Sequence, residues 1–119
     1  MTQFPKSQPE QIRDRTKQFA IRILRLFPSL PKTEEAGIIG RQVLRSGTSV
    51  ATNYRAVCRA RSEPEFVAKM GTVVEEADET VFWLELLIET VVISESRTDG
   101  LLKEANELLS ASQRTAKKN

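Results

Sequence analysis

Apolar residues recur at the spacing of an α-helix in four segments of this 119-residue chain, and a short break separates each segment from the next. The breaks contain proline, glycine or a serine that can cap a helix. No segment shows the strict alternation of apolar and polar residues that marks a half-buried strand. The sequence therefore predicts an all-α fold, with helices over about residues 11–27, 33–61, 63–94 and 98–113.

The region between residues 11 and 113 is predicted to be one domain. Four helices joined by short connections, each with one apolar stripe, pack best as an antiparallel up-down four-helix bundle. Residues 1–10 contain two prolines among polar residues and are expected to form a flexible N-terminal arm. Residues 114–119 are a polar, basic tail.

Serine and threonine mark the predicted helix starts. Thr33 and Ser62 are expected N-caps. Glu65 stands three residues after Ser62, which is the spacing of a capping box. Ser96 is expected to cap the last helix.

The apolar side of the second helix carries two glycines and a cysteine. Gly40 and Gly47 each cost about 1 kcal/mol relative to alanine in a helix interior. Close approach of a neighbouring helix backbone is the favoured compensation, and a bend at Gly47 is the alternative. The single cysteine, Cys58, is predicted to be packed in the core, in a protein of the reducing cytoplasm.

The second helix is predicted to have a basic side opposite its apolar side. At roughly 100° per residue, an arc of about 80° holds Arg41, Arg45, Arg55 and Arg59 together with Thr48 and Thr52. One interpretation is that this stripe binds the phosphate backbone of structured RNA, because arginine offers a planar fork of donors that suits phosphate oxygens. The candidate nucleic-acid-binding residues are Arg41, Arg45, Arg55, Arg59 and Arg61, with Arg15, Arg22 and Arg25 of the first helix.

The alternative interpretation pairs the stripe with the acidic third helix. The formal net charge is only +2, so a nucleic-acid surface depends on local clustering. Residues 41–61 carry five arginines and no acid, whereas residues 63–89 carry eight acids and one lysine. Glu75, Glu76 and Glu79 are the expected partners, within a subunit or between subunits. The sequence leaves both interpretations open.

Three large apolar residues of the third helix fall outside its predicted core side. Phe82, Trp83 and Leu86 lie at angles shared with acids, and Ile21 lies outside the core side of the first helix. Aromatic residues commonly anchor subunit interfaces, so these four residues predict self-association. The alternative is that the first or fourth helix covers them within one bundle.

The composition argues against an enzyme. The chain contains no histidine, which removes the commonest general base and any Ser-His-Asp triad or His-bearing zinc site. Ser46-Gly-Thr-Ser49 has neither the spacing of a phosphate-binding loop nor a strand before it. We expect no cofactor, no metal and no small-molecule substrate. No apolar run reaches the roughly 20 residues that span a bilayer, so no membrane partner is expected.

Several segments together resemble a known family. The chain is similar, over about residues 15–112, to the bacterial four-helix-bundle proteins typified by those encoded in intervening sequences of 23S ribosomal RNA genes. The segments that carry the resemblance are Leu44-Arg-Ser-Gly-Thr-Ser49, Asn53-Tyr-Arg55, Ala60-Arg-Ser62, Glu65-Phe66 and Glu79–Leu87. Ala51-Thr52 departs from the Gly-Ala that is common there.

The resemblance implies an up-down bundle that assembles into a five-fold barrel. A distant relative, the accessory protein of diversity-generating retroelements, is a basic pentamer that works with a reverse transcriptase and RNA. The sequence thus leads to a bacterial, cytoplasmic, non-enzymatic homo-oligomer, with a homopentamer implied by the resemblance, that binds structured RNA or a ribonucleoprotein. The other hypothesis is a protein-binding adaptor whose arginines pair with the third helix and bind no nucleic acid.

Overall fold

Four α-helices follow one another in the computed structural model, which describes residues 5–91, 93 and 95–117. The described residues contain no strand, so the predicted all-α class is confirmed. The helices are α1 (Gln8–Leu26), α2 (Glu34–Cys58), α3 (Glu63–Thr90) and α4 (Glu95–Lys117), with a 3₁₀ turn at Phe27–Ser29 between α1 and α2.

The helices pack as a ring of four. Each helix packs against the helix that follows it in the chain, and α4 also packs against α1. Within the described residues, no Cα atom of α1 lies within 8 Å of one of α3, and the same holds for α2 and α4, so these two pairs are the diagonals of the ring. Short connections make consecutive helices antiparallel. This arrangement is the up-down four-helix bundle that the sequence predicted.

The first helix begins earlier than predicted. Ser7 caps it, because the Ser7 hydroxyl oxygen accepts a hydrogen bond from the backbone N–H of Glu10 at 3.3 Å. Pro9 then fits the first turn, where its missing N–H has no helical partner to lose. Of the predicted flexible arm, residues 8–10 are therefore helical, and residues 1–4 lie outside the described residues.

Thr33 and Ser62 cap the next two helices, as predicted. Thr33 Oγ1 accepts a hydrogen bond from the backbone N–H of Ala36 at 3.2 Å. Ser62 Oγ accepts one from the backbone N–H of Glu65, also at 3.2 Å. The Glu65 carboxylate does not return to Ser62 as in a standard capping box, because it accepts from the backbone N–H of Arg61 at 3.5 Å.

The later helix ends also differ from the predicted bounds. The second helix ends at Cys58 rather than near residue 61, and the third ends at Thr90 rather than near residue 94. The last helix begins at Glu95, so the predicted cap Ser96 lies inside it, and it continues to Lys117 through most of the predicted basic tail. Residues 92, 94, 118 and 119 lie outside the described residues.

The core consists of two apolar clusters along the bundle. The larger cluster joins residues of all four helices around the fully buried Leu84 and Leu87 of α3. The smaller cluster lies around Tyr54 of α2 and Met70 of α3. Removal of these apolar surfaces from water is the main force that holds the helices together.

The interior also includes three buried threonines, Thr16, Thr80 and Thr98, although no apolar pattern marks them. The Thr16 hydroxyl donates to the carbonyl oxygen of Arg13 at 2.8 Å, and the Thr80 hydroxyl donates to that of Glu76 at 2.7 Å. A hydroxyl that is bonded to its own helix can be buried without leaving a polar group unsatisfied.

Gly40 and Gly47 lie where side chains of the preceding segment pack onto α2. A Cβ on Gly47 would overlap Cδ1 of Ile23, and a Cβ on Gly40 would lie 2.7 Å from Cδ1 of Leu30. Close packing therefore compensates for both glycines. The contact is made by side chains rather than by the neighbouring helix backbone that we expected.

The prediction that Cys58 is packed in the core is wrong. Cys58 is the last residue of α2 and its side chain is exposed. Its Sγ lies 3.9 Å from the carbonyl oxygen of Pro9, so the first turn of α1 passes beside the thiol without covering it. The reason is that α1 does not close over this end of α2, where Cys58 lines an open groove.

Candidate nucleic-acid interface

The arginine stripe lies on the exposed side of α2, as helical spacing predicted. Arg41, Arg45, Arg55 and Arg59 are all exposed, and Arg61 follows in the connection to α3. From its first to its last arginine the stripe extends about 27 Å along the helix. Its members nevertheless have different neighbours, because one edge of α2 adjoins α3 and the other adjoins α1.

Arg45 is bound to acids of α3. Its guanidinium pairs with the Glu79 carboxylate and lies 3.4 Å from that of Glu76. Glu79 also accepts a hydrogen bond from Trp83 Nε1 at 3.1 Å. The pairing of α2 with α3 is thus present for this one arginine. Glu75, the third expected partner, forms no ion pair within the described residues.

Arg55 and Arg59 line a groove of about 590 Å³ between α1 and α2, which we call the basic groove. The α1 helix contributes Arg13 and Lys17, which stand four residues apart and therefore share one side of that helix. Four cationic side chains converge on one concave surface. The groove is completed by Asp14, Ala51, Thr52 and Cys58.

Asp14 is the acid of the basic groove, and cations already engage it. Lys6 contacts its carboxylate, and Arg13 Nη2 lies 3.5 Å from it. The hydrogen bond from Lys6 is the main cause that lowers the pKa of Asp14, so the carboxyl is ionised at neutral pH. Within the described residues, no ion pair is formed by the other cations of the groove, Lys17, Arg55 and Arg59.

The three candidate arginines of α1 face α4 and do not join the stripe on α2. Arg15 makes a two-pronged contact with Glu104, with Nε to Oε2 at 3.1 Å and Nη2 to Oε1 at 2.7 Å. It also reaches Glu107 at 3.1 Å. The hydrogen bond with Glu104 is the main cause that raises the pKa of Arg15. Arg22 and Arg25 line a small cavity together with a leucine of α4.

Sequence reasoning missed the two cations of α1 that do face α2. Arg13 and Lys17 belong to the same polar segment as Arg15, and only the rotation of α1 against its neighbours distinguishes them. Their spacing of four residues was the available signal, since it places both side chains on one line along the helix. That line is the wall of the basic groove.

The predicted interface residues are divided between α1 and α3, which lie diagonally opposite each other in the bundle. Phe82 of α3 is 54% exposed, and its ring meets that of Trp83 edge-on with centroids 5.0 Å apart. Trp83 and Leu86 are partly buried and pack against the larger core cluster. Ile21 is partly buried on α1. The bundle itself therefore partly buries Trp83, Leu86 and Ile21, whereas Phe82 remains exposed to solvent.

Three further exposed apolar side chains were not anticipated, and one of them, Val67 of α3, is 45% exposed. Leu24 of α1 is 51% exposed and Ile38 of α2 is 49% exposed. Leu24 stands three residues after Ile21, so the two side chains are neighbours on the surface of α1. We call this pair the α1 apolar strip.

The Ser46-Gly-Thr-Ser49 segment is helix interior. The buried Ser46 hydroxyl donates to the carbonyl oxygen of Gln42 at 2.9 Å, and the Thr48 hydroxyl donates to that of Leu44 at 2.7 Å. In the part of the chain that the structure describes, no group of three or more acidic, cysteine or histidine side chains is placed to hold a metal. Among the same residues, no helix has the length and apolar character needed to cross a membrane.

The sequence and the fold both match known proteins. A family model described as 23S rRNA-intervening sequence protein matches residues 9–113. The chain is also similar to the crystal structure of a protein of unknown function from the S23 ribosomal protein family of Bacteroides thetaiotaomicron VPI-5482. The two are 31% identical with a TM-score of 0.84, over 93% of this chain and 99% of that one. No curated protein matches the chain. The family model covers nearly the full length of the bundle, and the chain therefore belongs to the 23S rRNA-intervening sequence protein family.

Proposed function

We propose that this protein is a non-enzymatic, oligomeric scaffold of the cytoplasm that binds structured RNA, alone or within a ribonucleoprotein. Binding takes place through the basic groove and the exposed arginines of α2. One observation carries the proposal: four cationic side chains of two helices converge on a groove whose acid is already paired. These side chains are Arg13, Lys17, Arg55 and Arg59.

Phosphate oxygens are the ligands that such a groove favours. Arginine donates two parallel hydrogen bonds to a phosphate, and the release of counterions from RNA adds to the affinity. Arg41 is exposed on the same helix and extends the surface beyond the groove. The lining of the groove contains no aromatic side chain on which a base could stack. Contact with the backbone of a duplex or hairpin is therefore favoured over binding of single strands.

Self-association is part of the proposal. The exposed Phe82 lies on α3, and the α1 apolar strip lies on the helix diagonally opposite α3 in the bundle. An interface that joins two different surfaces is heterologous, and repeated heterologous contacts close into a ring when the rotation permits. Because the chain resembles proteins that form five-fold barrels, we expect a pentamer that presents the basic groove once in each subunit.

A second candidate function is a protein-binding adaptor that binds no nucleic acid. The pairing of Arg45 with Glu76 and Glu79 favours it, because α3 already neutralises one arginine of the stripe. In this case the acidic side of α3 from a neighbouring subunit or partner would cover the basic groove. The two functions therefore differ in what occupies the groove.

Light scattering with and without RNA tests the proposal. The purified protein is mixed with a hairpin RNA of about 20 base pairs at about 0.05 M and about 0.2 M salt. We expect a mass near five chains that rises with RNA at the lower salt concentration and falls back at the higher one. A mass of one chain, 13.4 kDa, would contradict the assembly. A mass of several chains that is indifferent to RNA would contradict RNA binding and favour the adaptor.

Matched double variants locate the RNA-binding surface. Arg55→Gln with Arg59→Gln removes two charges from the basic groove, whereas Arg22→Gln with Arg25→Gln removes two charges from the α4 side. At about 0.1 M salt we expect the first pair to lose on the order of tenfold to a hundredfold in RNA affinity, with a salt slope smaller by about two. The control pair should stay within about threefold of the wild type. Equal losses in both pairs would indicate an effect of net charge alone and contradict the groove as the site.

A further inference from the structure

A second cavity, of about 700 Å³, lies at the end of the bundle where α2 ends and α3 begins, and we call it the end cavity. Its walls come from the first turns of α1 and α3, the last turns of α2 and α4, and the connection between α2 and α3. Its volume lies within the range of small-molecule sites in proteins. The apolar part of the wall includes Ile12, Val57, Phe66 and Ala111.

Tyr54 places a hydroxyl without a protein partner in the wall of the end cavity. The residue is only 4% exposed, and its hydroxyl forms no hydrogen bond with any residue that the structure describes. Buried polar groups normally have a partner. The described residues contain no fully sealed side-chain oxygen or nitrogen that lacks one. The Tyr54 oxygen is therefore not sealed, and it opens into the cavity that the ring lines.

Two arginines make the mouth of the end cavity positive. Arg61 and Arg114 are exposed and line it, and Glu63 is the acid of the lining. Neither arginine forms an ion pair within the described part of the chain. The N-terminus of α3 adds partial positive charge to the same wall. The cavity thus combines an apolar interior, one inward hydroxyl donor and a cationic mouth.

We propose that the end cavity binds a small organic acid with an apolar body. The body packs against the apolar wall, and the carboxylate accepts a hydrogen bond from the Tyr54 hydroxyl and pairs with Arg61 or Arg114. Such a molecule is a bound ligand rather than a substrate, because the proposal includes no chemical step. The site is separate from the basic groove, so the proposal does not depend on RNA binding.

Isothermal titration calorimetry on the full chain tests the proposal with hydrocinnamate as the probe. Two matched probes separate the contributions of charge and apolar contact. Hydrocinnamyl alcohol lacks the charge, and inorganic phosphate lacks the apolar body. We expect hydrocinnamate to bind once per chain, at least about tenfold more tightly than either matched probe. Equal affinities for the acid and the alcohol, or no saturable heat with the acid, would overturn the proposal.

Two variants test where the probe binds. Tyr54→Phe removes only the hydroxyl, so we expect the fold to persist and the affinity for hydrocinnamate to fall about tenfold. Ala111→Phe fills the cavity from α4 and is expected to abolish binding. Arg25→Gln removes a charge elsewhere and should leave the affinity unchanged. Wild-type affinity in Tyr54→Phe, or retained binding in Ala111→Phe, would overturn the assignment of the site.

Discussion

The two halves of α2 contain the same kinds of residue and have opposite surroundings. In the N-terminal half, which we extend to Gly47 just past the midpoint of α2, a side chain of α1 fills the space beside this glycine, and acids of α3 bind Arg45. In the C-terminal half, Arg55 and Arg59 line an open groove, and the Tyr54 hydroxyl faces a cavity. The role of a residue on this helix is therefore decided by the helix that faces it. The closed half stabilises the bundle, and the open half is available for ligands.

A larger side chain at Gly47, in the closed half of α2, is expected to have the largest effect on stability. In Gly47→Val the new side chain would overlap the buried Ile23, so we expect the free energy of unfolding to fall by about 3 kcal/mol. The measurement is urea unfolding followed by circular dichroism.

Gly71 of α3 provides the matched control for this substitution. A Cβ added there meets no atom within 4 Å, so Gly71→Val should change the free energy of unfolding by less than about 0.5 kcal/mol. Valine has a higher helix propensity than glycine, so propensity alone predicts no loss at either position. Similar losses at both glycines would therefore contradict the filled space beside Gly47 as the cause and would break the distinction between the two halves.

Raising the pH is expected to destabilise the folded protein through the ionisation of Tyr54 in the open half of α2. Burial, with a smaller contribution from Cys58, raises the pKa of Tyr54 to about 12, from 10.0. The unfolded chain loses this proton at lower pH than the folded chain does. The stabilisation is therefore complete below about pH 10 and is lost as the pH rises toward about 12, by roughly 3 kcal/mol at most.

Tyr54→Phe isolates this loss from the titration of other groups. The difference in unfolding free energy between wild type and variant should change by the same amount, up to roughly 3 kcal/mol, across that window. The chain contains one tyrosine, so ultraviolet absorbance reports its ionisation directly. If the unfolding free energies of the two proteins differed by the same amount from neutral to alkaline pH, that result would contradict a buried environment for Tyr54.

Releasing Arg45 from α3 is expected to have the smallest effect. In Glu79→Gln the ion pair is lost, while the new amide oxygen can still accept from Trp83. Both members of the pair are more than a third exposed, so solvent screens it and we expect a loss of about 0.5 kcal/mol. Glu85→Gln, at an exposed residue of the same helix, is the control. The difference between the two variants should vanish at about 1 M salt, and its persistence would indicate lost packing instead.

The bundle was predictable from sequence because its determinants are local. Apolar spacing defines the helices, and the caps at Thr33 and Ser62 depend on bonds within a single turn. The basic groove was not predictable, because helical spacing gives angles around one axis and not the rotation of that axis against a neighbour. For this reason Arg15 was grouped with the stripe, although Arg13 and Lys17 occupy the groove.

Charge clustering was informative only in part, for the same reason. The contrast between a basic α2 and an acidic α3 correctly indicated that the two helices form ion pairs. It did not reveal that only Arg45 lies within reach of those acids in the described residues. The distances between side chains on adjacent helices depend on how the two helices are shifted along each other. The order of residues within one helix does not specify this shift.

Cys58 stands on the wall that the basic groove and the end cavity share, and it is the single cysteine of the chain. Partial desolvation raises the pKa of this exposed thiol, so a maleimide dye should attach slowly at neutral pH and faster in mildly alkaline buffer. The wild-type sequence therefore accepts one fluorophore at one known position. An environment-sensitive dye placed there would record the occupancy of either site, and stepwise addition of RNA and of an organic acid would separate the two signals.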